Sequence, residues 1–95
     1  MYSICRTKVF EKSFRKLSRS GKIYKDVRAR LERGIDMLAE GRSLPEIHKE
    51  HGLKGELKKY RECHIKGDLL LVYQRNKKEL ILVLVDIGSH SQIFG

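Results

Sequence analysis

The chain opens on Tyr2 to Thr7, where Ile4 and Cys5 are flanked by polar side chains, and this predicts a short first strand. From Lys8 the period changes. Phe10, Phe14 and Leu17 recur at spacings of four and three, while Lys12, Arg15, Lys16 and Arg19 fall off that stripe, so an amphipathic helix is expected. Ser18 to Lys22, centred on Ser20-Gly21, interrupts it. Ile23, Val27, Leu31, Ile35 and Leu38 then mark one face of a second helix, which Glu40-Gly41 ends, with Lys25, Arg28, Arg30 and Arg33 on its other faces. Two such helices in succession form a hairpin with one apolar side, which a sheet has to cover.

Gly41 to Gly55 reads as a connection with one helical turn at Pro45-Glu46-Ile47-His48, proline being favoured at a first helical position. Residues 56 to 66 read as a strand of mixed polarity, stopped by Gly67-Asp68. Two apolar runs follow, Leu69 to Tyr73 and Leu80 to Val85, separated by the polar segment Gln74 to Glu79. Their length and the intervening turn favour a hairpin of central strands. The tail from Gly88 to Gly95 is too short to add another large element. The order strand, helix, helix and three strands predicts an α+β fold, with an N-terminal strand and a helical hairpin packed on a mainly antiparallel sheet.

Strand parity refines the reading near residue 60. If residues 57 to 65 are regular, Tyr60 and His64 share one face, and Arg61 takes the other with Leu57 and Cys63. Arg61 is then a scaffold residue, and Lys58 or Lys66 supplies the local positive charge for a bound anion.

At 95 residues the chain is expected to be one domain, residues 1–95. Its formal charge is +9, distributed unevenly: residues 1–33 hold 11 basic and 3 acidic side chains, whereas residues 34–95 hold 10 and 9. A positive field so concentrated attracts a polyanion, either nucleic acid or an acidic protein, and composition does not separate the two. Cys5 and Cys63 are too few for a disulfide framework, the N-terminus lacks the pattern of a secretion signal, and no apolar run approaches the ~20 residues needed to span a bilayer. A cytoplasmic protein with reduced thiols and no membrane partner is the simplest expectation.

His51, His64, Asp68 and His90 are the candidate chemical groups. His64 and Asp68 flank the expected turn between adjacent strands, and His90 lies just past the last strand, so the fold can bring them to one end of the sheet. Histidine titrates near neutrality and serves as acid or base. Cleavage of RNA by its own 2′-hydroxyl needs such groups, together with positive charge at the phosphate, and requires neither a metal cofactor nor a serine or cysteine nucleophile. Plainer readings stand beside this one: a satisfied strand histidine at 64, ordinary turn chemistry at 68, a loop residue at 51 and a tail residue at 90. Cys63 reads as core. His48 and His51, with His64, Cys63 or Asp68, could also ligate a metal, although no Cys-x2-Cys or His-Glu-x2-His motif is present.

The stretch from His51 to Tyr73, HGLKGELKKYRECHIKGDLLLVY, and the ending GSHSQIFG resemble the YafQ branch of the RelE/ParE toxin superfamily. The resemblance spans nearly the whole chain in element order and is most specific in those two blocks. It implies a toxin of a type II toxin-antitoxin system, a metal-independent endoribonuclease that enters the ribosomal A site and cuts mRNA to leave a 2′,3′-cyclic phosphate and a 5′-hydroxyl. It carries catalytic roles onto His51, His64, Asp68 and His90, and places Phe94 to position or stack on the RNA. It also implies a cognate antitoxin with an acidic or amphipathic segment, through which the pair binds operator DNA. Two positions depart from the pattern. Asp86 stands where the family carries a catalytic-site arginine, and Leu69 stands where it carries a tryptophan. Loss of the arginine removes a planar phosphate donor, which implies weaker or differently selective cleavage. Two alternatives remain open: a degenerate toxin that acts mainly as an antitoxin-binding corepressor, and a ParE-like gyrase inhibitor, against which the histidine set argues.

Overall fold

A computed structural model describes residues 1–95. The elements are β1 (Ser3–Arg6), α1 (Lys8–Arg19), α2 (Lys25–Ala39), β2 (His51–Gly52), β3 (Arg61–Lys66), β4 (Leu69–Asn76), β5 (Ile81–Gly88) and α3 (His90–Phe94), with 3-10 turns at Glu46–His48 and Gly55–Leu57. Five strands form one sheet in the order β1-β5-β4-β3-β2. The pairs β2–β3, β3–β4 and β4–β5 are antiparallel, and β1 joins β5 in parallel. The α+β architecture expected from the residue pattern is the one observed.

Both long helices cover the same face of the sheet, α1 over β5 and α2 over β3. Phe10 and Leu17 are buried from α1, and Val27, Leu31, Leu38 and Ala39 from α2. They meet Cys63, Ile65, Leu71, Tyr73, Leu82, Leu84 and Ile87 in a single core cluster. Thr7 starts α1 and also docks it. Its hydroxyl accepts from the Phe10 amide at 3.0 Å and donates to the Val85 carbonyl at 2.7 Å, which fixes the helix entry against β5.

Three local features differ from the sequence reading. The strand expected over residues 56–66 begins only at Arg61, because Gly55, at φ 67°, opens a 3-10 turn in which the Lys58 amide bonds back to the Gly55 carbonyl. Leu57 therefore does not share a face with Arg61; it lines a groove on the open side of the sheet with Tyr60 and Val72. A two-residue edge strand, β2, pairs His51 with Glu62 and Gly52 with Arg61. The tail forms a helix, α3, because Ser89 and Gln92 make a reciprocal capping box.

Two irregularities break strand parity. The β3–β4 register shifts between His64 and Lys66, and the β4–β5 register between Val72 and Tyr73. At the first, Ile65 stays in the core and the Lys66 ammonium reaches Asp26 on α2 at 2.7 Å. Lys66 is thus engaged with the helical layer rather than standing beside His64, as regular alternation would have it. At the second, Val85 and Asp86 both border the groove on the open side.

The connection before β2 is anchored by Glu50, whose side chain is 10% exposed. Its carboxylate accepts from the Tyr73 hydroxyl and, at 3.2 Å, from the Leu44 amide. Arg61 and Arg75 approach it at 3.6 and 3.7 Å. Arg75 also donates to the Leu38 and Arg42 carbonyls at the end of α2. Burial by itself would raise the Glu50 carboxyl, but these partners more than offset it and hold the group below its ordinary value. Arg61 is accordingly a scaffold residue, as parity suggested.

Replacing Glu50 with alanine strands Arg61, Arg75 and Tyr73, and is expected to cost about 3–5 kcal/mol in urea unfolding. Because the folded value is depressed, this stabilisation is complete above the ordinary glutamate range and is lost as pH falls through the folded value. In the Glu50→Gln variant, stability should therefore fall less steeply on acidification over that window; an unchanged acid limb would contradict the assignment.

Candidate active site

Alternation along β3 turns Cys63 and Ile65 to the core and Glu62 and His64 to the open side of the sheet. Antiparallel register then aligns two rows across that side. One runs His51, Glu62, Val72 and Asp86; the other runs His64, Leu70 and Gly88. His90 follows Gly88 by two residues at the first turn of α3, and Asp68 sits in the β3–β4 turn beside His64. His64, Asp68 and His90 are therefore brought to one end of the sheet. His51 arrives from the edge strand, diagonal to His64, a relation that in a regular ladder spans about 7–8 Å.

Hydrogen bonds orient two of the rings. The Nδ1 of His64 lies 3.3 Å from the Gly67 carbonyl. A carbonyl can only accept, so that contact puts the proton on Nδ1 and leaves Nε2 of the neutral ring as the free acceptor. Gly67 takes φ 59°, the left-handed conformation that lets its carbonyl turn back toward the ring. His51 donates from Nδ1 to the Lys49 carbonyl at 2.8 Å, and its Nε2 lies 3.1 Å from Glu62. The Lys49 carbonyl and the Glu62 carboxyl group thus hold the His51 ring from both of its nitrogens. Glu62 is 5% exposed and its other oxygen is buried without a partner. Sequence reasoning missed Glu62. The available signal was its position two residues before His64 on the same strand face.

His90 is exposed, and its ring lies against that of Phe94 one turn later, with centroids 5.0 Å apart. The helix that carries both residues is held at each end of its first turn. Ser89 accepts from the Gln92 amide at 3.2 Å, and the Gln92 side chain accepts from the Ser89 amide at 2.8 Å. Gly88 makes this close return feasible, since a Cβ there would stand 3.0 Å from the Gln92 side-chain oxygen. Phe94 reaches back to the apolar groove of about 250 Å³ that Leu53, Leu57, Tyr60 and Val72 line. Asp68 instead shares a cleft of about 390 Å³ with Lys66, Leu69, Ser89 and Gln92.

The remaining candidates are dispersed. Lys58 is exposed in the loop before β3, at the opposite end of that strand from Asp68 and so on the order of 20 Å away. Lys66 lines the Asp68 cleft but is paired with Asp26, whose carboxyl the contact holds below its ordinary value. Asp86 is half-buried, and one of its oxygens accepts from the Ile87 amide at 2.8 Å. Cys63 is fully buried and its thiol is pushed up to about 12, chiefly by burial, so it is core. His48 donates from Nδ1 to the His64 carbonyl at 2.6 Å and ties the Glu46–His48 turn to β3. No three His, Cys, Asp or Glu side chains cluster as a set of metal ligands would.

The helical layer over a mixed, mainly antiparallel sheet is the RelE-like fold. A family model described as the bacterial toxin of type II toxin-antitoxin systems, YafQ, matches residues 2–95. The chain belongs to that family. It is 31% identical over 91 residues to the mRNA interferase toxin YafQ of Escherichia coli K12, which covers 85% of this chain and 97% of that protein. A metal-bound toxin from Helicobacter pylori superposes with a TM-score of 0.86 at 44% identity, over 99% of this chain and all of that one. YafQ in the Escherichia coli DinJ-YafQ complex gives 0.84 at 25% identity, over the full length of both chains.

The capping box generates a local prediction. Ser89→Ala should weaken α3 by about 1 kcal/mol, seen as roughly fivefold faster hydrogen exchange at the Gln92 and Ile93 amides. Exchange there unchanged from the parent would show that the serine does not set this helix.

Proposed function

We propose that the chain is a ribosome-dependent endoribonuclease that cuts mRNA in the A site, using the substrate's own 2′-hydroxyl as nucleophile. The observation that supports this reading is that His64, the β3–β4 turn carrying Asp68, and His90 all fall at the same end of the sheet, next to the exposed α3. His64 offers Nε2 to take the 2′-hydroxyl proton, and Asp68 orients that hydroxyl. The 2′-oxygen attacks phosphorus, the bond to the 5′-oxygen breaks, and His90 gives the leaving oxygen its proton. The products are a 2′,3′-cyclic phosphate and a 5′-hydroxyl. His51, held in place by Glu62, orients the scissile phosphate or assists proton transfer. Lys58 and Lys66 meet the RNA backbone on either side of the cut, and Phe94 stacks on a base near His90.

An antitoxin is the second expected partner, as DinJ is for the Escherichia coli relative. A cleft lined mainly from α1 and α2 supports this, with apolar Phe14, Leu31 and Ile35 among three arginines, Arg6, Arg15 and Arg28, that outnumber the acidic Glu11 and Glu32. An amphipathic segment with an acidic face complements that arrangement. Operator DNA would then be reached through the antitoxin. Asp86 favours a second reading in which cleavage is feeble and corepression is the main task, since a carboxylate repels the phosphate that an arginine would hold.

Mapping mRNA 5′ ends after induction separates these readings. His90→Gln and Asp68→Asn should each lower cleavage by roughly 10²–10⁴-fold while leaving the fold intact. Growth arrest that both variants preserve, without new RNA ends, would remove the nuclease reading.

A further inference from the structure

Two cavities flank the base of α3 on the side of the helical hairpin. One, of about 390 Å³, includes Asp68, Leu69 and Ser89; the other, of about 400 Å³, includes Asp86, Ile87 and Ile93. Both are in the size range that accepts a nucleotide-sized group. They are contiguous, because Leu17, Lys22 and Gln92 line both. Lys22 belongs to the turn between α1 and α2, so its ammonium is carried to the proposed active-site end by an element the catalytic residues do not occupy. Lys16 also lines the second cavity, and Lys66, paired with Asp26, lines the first.

Tyr24 lines the first cavity and is 67% exposed. It is the N-cap of α2, yet its side chain makes no capping bond, so the ring is not needed to start the helix. It also stands outside the core cluster and the side chains packed on it. An exposed aromatic ring flanked by lysines is the chemistry that holds single-stranded nucleic acid: the ring stacks on a base and the cations follow the backbone.

We propose that Tyr24 and Lys22 form a substrate-binding subsite on the helical hairpin, where the Tyr24 ring stacks on an mRNA base next to the cut and Lys22 holds the adjoining phosphate. The inference rests on the nuclease reading above and names residues that reading does not use. It also accounts for the two departures in the motif. Leu69, where the family pattern has a tryptophan, lines the same cavity as Tyr24; Asp86, where it has an arginine, borders the cavity that Lys22 and Lys16 line as well as the groove on the open side. Aromatic surface and cation are thus supplied from the hairpin in place of the strands. RNA is favoured over an antitoxin segment because these cavities adjoin Asp68 and the residue preceding His90, whereas the apolar floor suited to an amphipathic segment lies between α1 and α2.

Single-turnover cleavage on programmed ribosomes tests this, with toxin concentration varied to separate KM from kcat. Tyr24→Ala should raise KM by roughly 5- to 150-fold with little change in kcat, and Tyr24→Phe should restore it, since stacking needs the ring and not the hydroxyl. Lys22→Gln should flatten the dependence of log KM on log salt by about 0.7, the value of one phosphate contact on a single strand. Circular dichroism and thermal unfolding should match the parent for all three variants. If the parent cleaves and Tyr24→Ala and Lys22→Gln cleave with parental KM, the subsite is wrong and the nuclease reading stands. If those variants lose only antitoxin affinity, the surface belongs to the antitoxin and the subsite is likewise overturned. If the parent itself does not cleave, the underlying reading fails first.

Discussion

The antiparallel ladder of β3, β4 and β5 is the constraint on which the rest of the molecule depends. It converts residues far apart in the chain into rows across one sheet: His64 beside Leu70 and Gly88, and Glu62 between His51 and Val72. A slip of one residue in β3 would turn Cys63 and Ile65 out of the core and bury His64. The same two apolar positions that seat the strand under α2 therefore fix the side on which the histidine stands. Packing and chemistry are specified by one register.

The charged groups divide between support and reaction. Glu50, Tyr73, Arg61 and Arg75 form a cluster that joins the connection before β2 to β3, β4 and the end of α2. Each member has opposite charge or a hydrogen bond at hand, which is the condition for retaining ions in a low-dielectric setting. The histidines and Asp68 sit instead where water and a substrate can reach them. Glu62 links the two sets, since it is buried like the first and pairs with His51 of the second.

Much of this was legible in the residues. The stripe from Phe10 to Leu17 and the longer one from Ile23 to Leu38 located both helices, and the runs at Leu69 and Leu80 located the central hairpin. His64, Asp68 and His90 could be assigned to one sheet end because a turn and a strand terminus bracket them. What could not be read depends on non-local contacts. Nothing local distinguishes Glu50 from the neighbouring exposed acids; its role exists only once Tyr73, Arg61 and Arg75 arrive. The β2 edge strand is two residues long, below any period. The register shifts at Ile65 and Val85 leave no mark on hydrophobic alternation, yet the first engages Lys66 with α2 and the second brings Asp86 to the groove. The capping box of α3 was spelled out as Ser89 and Gln92, and tail position obscured it.

The central claim is that the residues at this sheet end act on the 2′-hydroxyl of the RNA itself. Its most direct test is a ribosome programmed with mRNA carrying a single 2′-deoxynucleotide immediately 5′ of the bond that is cut. The account predicts that cleavage at that bond disappears while the all-ribose message is cut to a 2′,3′-cyclic phosphate. Cleavage of the deoxy-substituted bond at the parental rate would contradict it, because the nucleophile would then have to come from elsewhere.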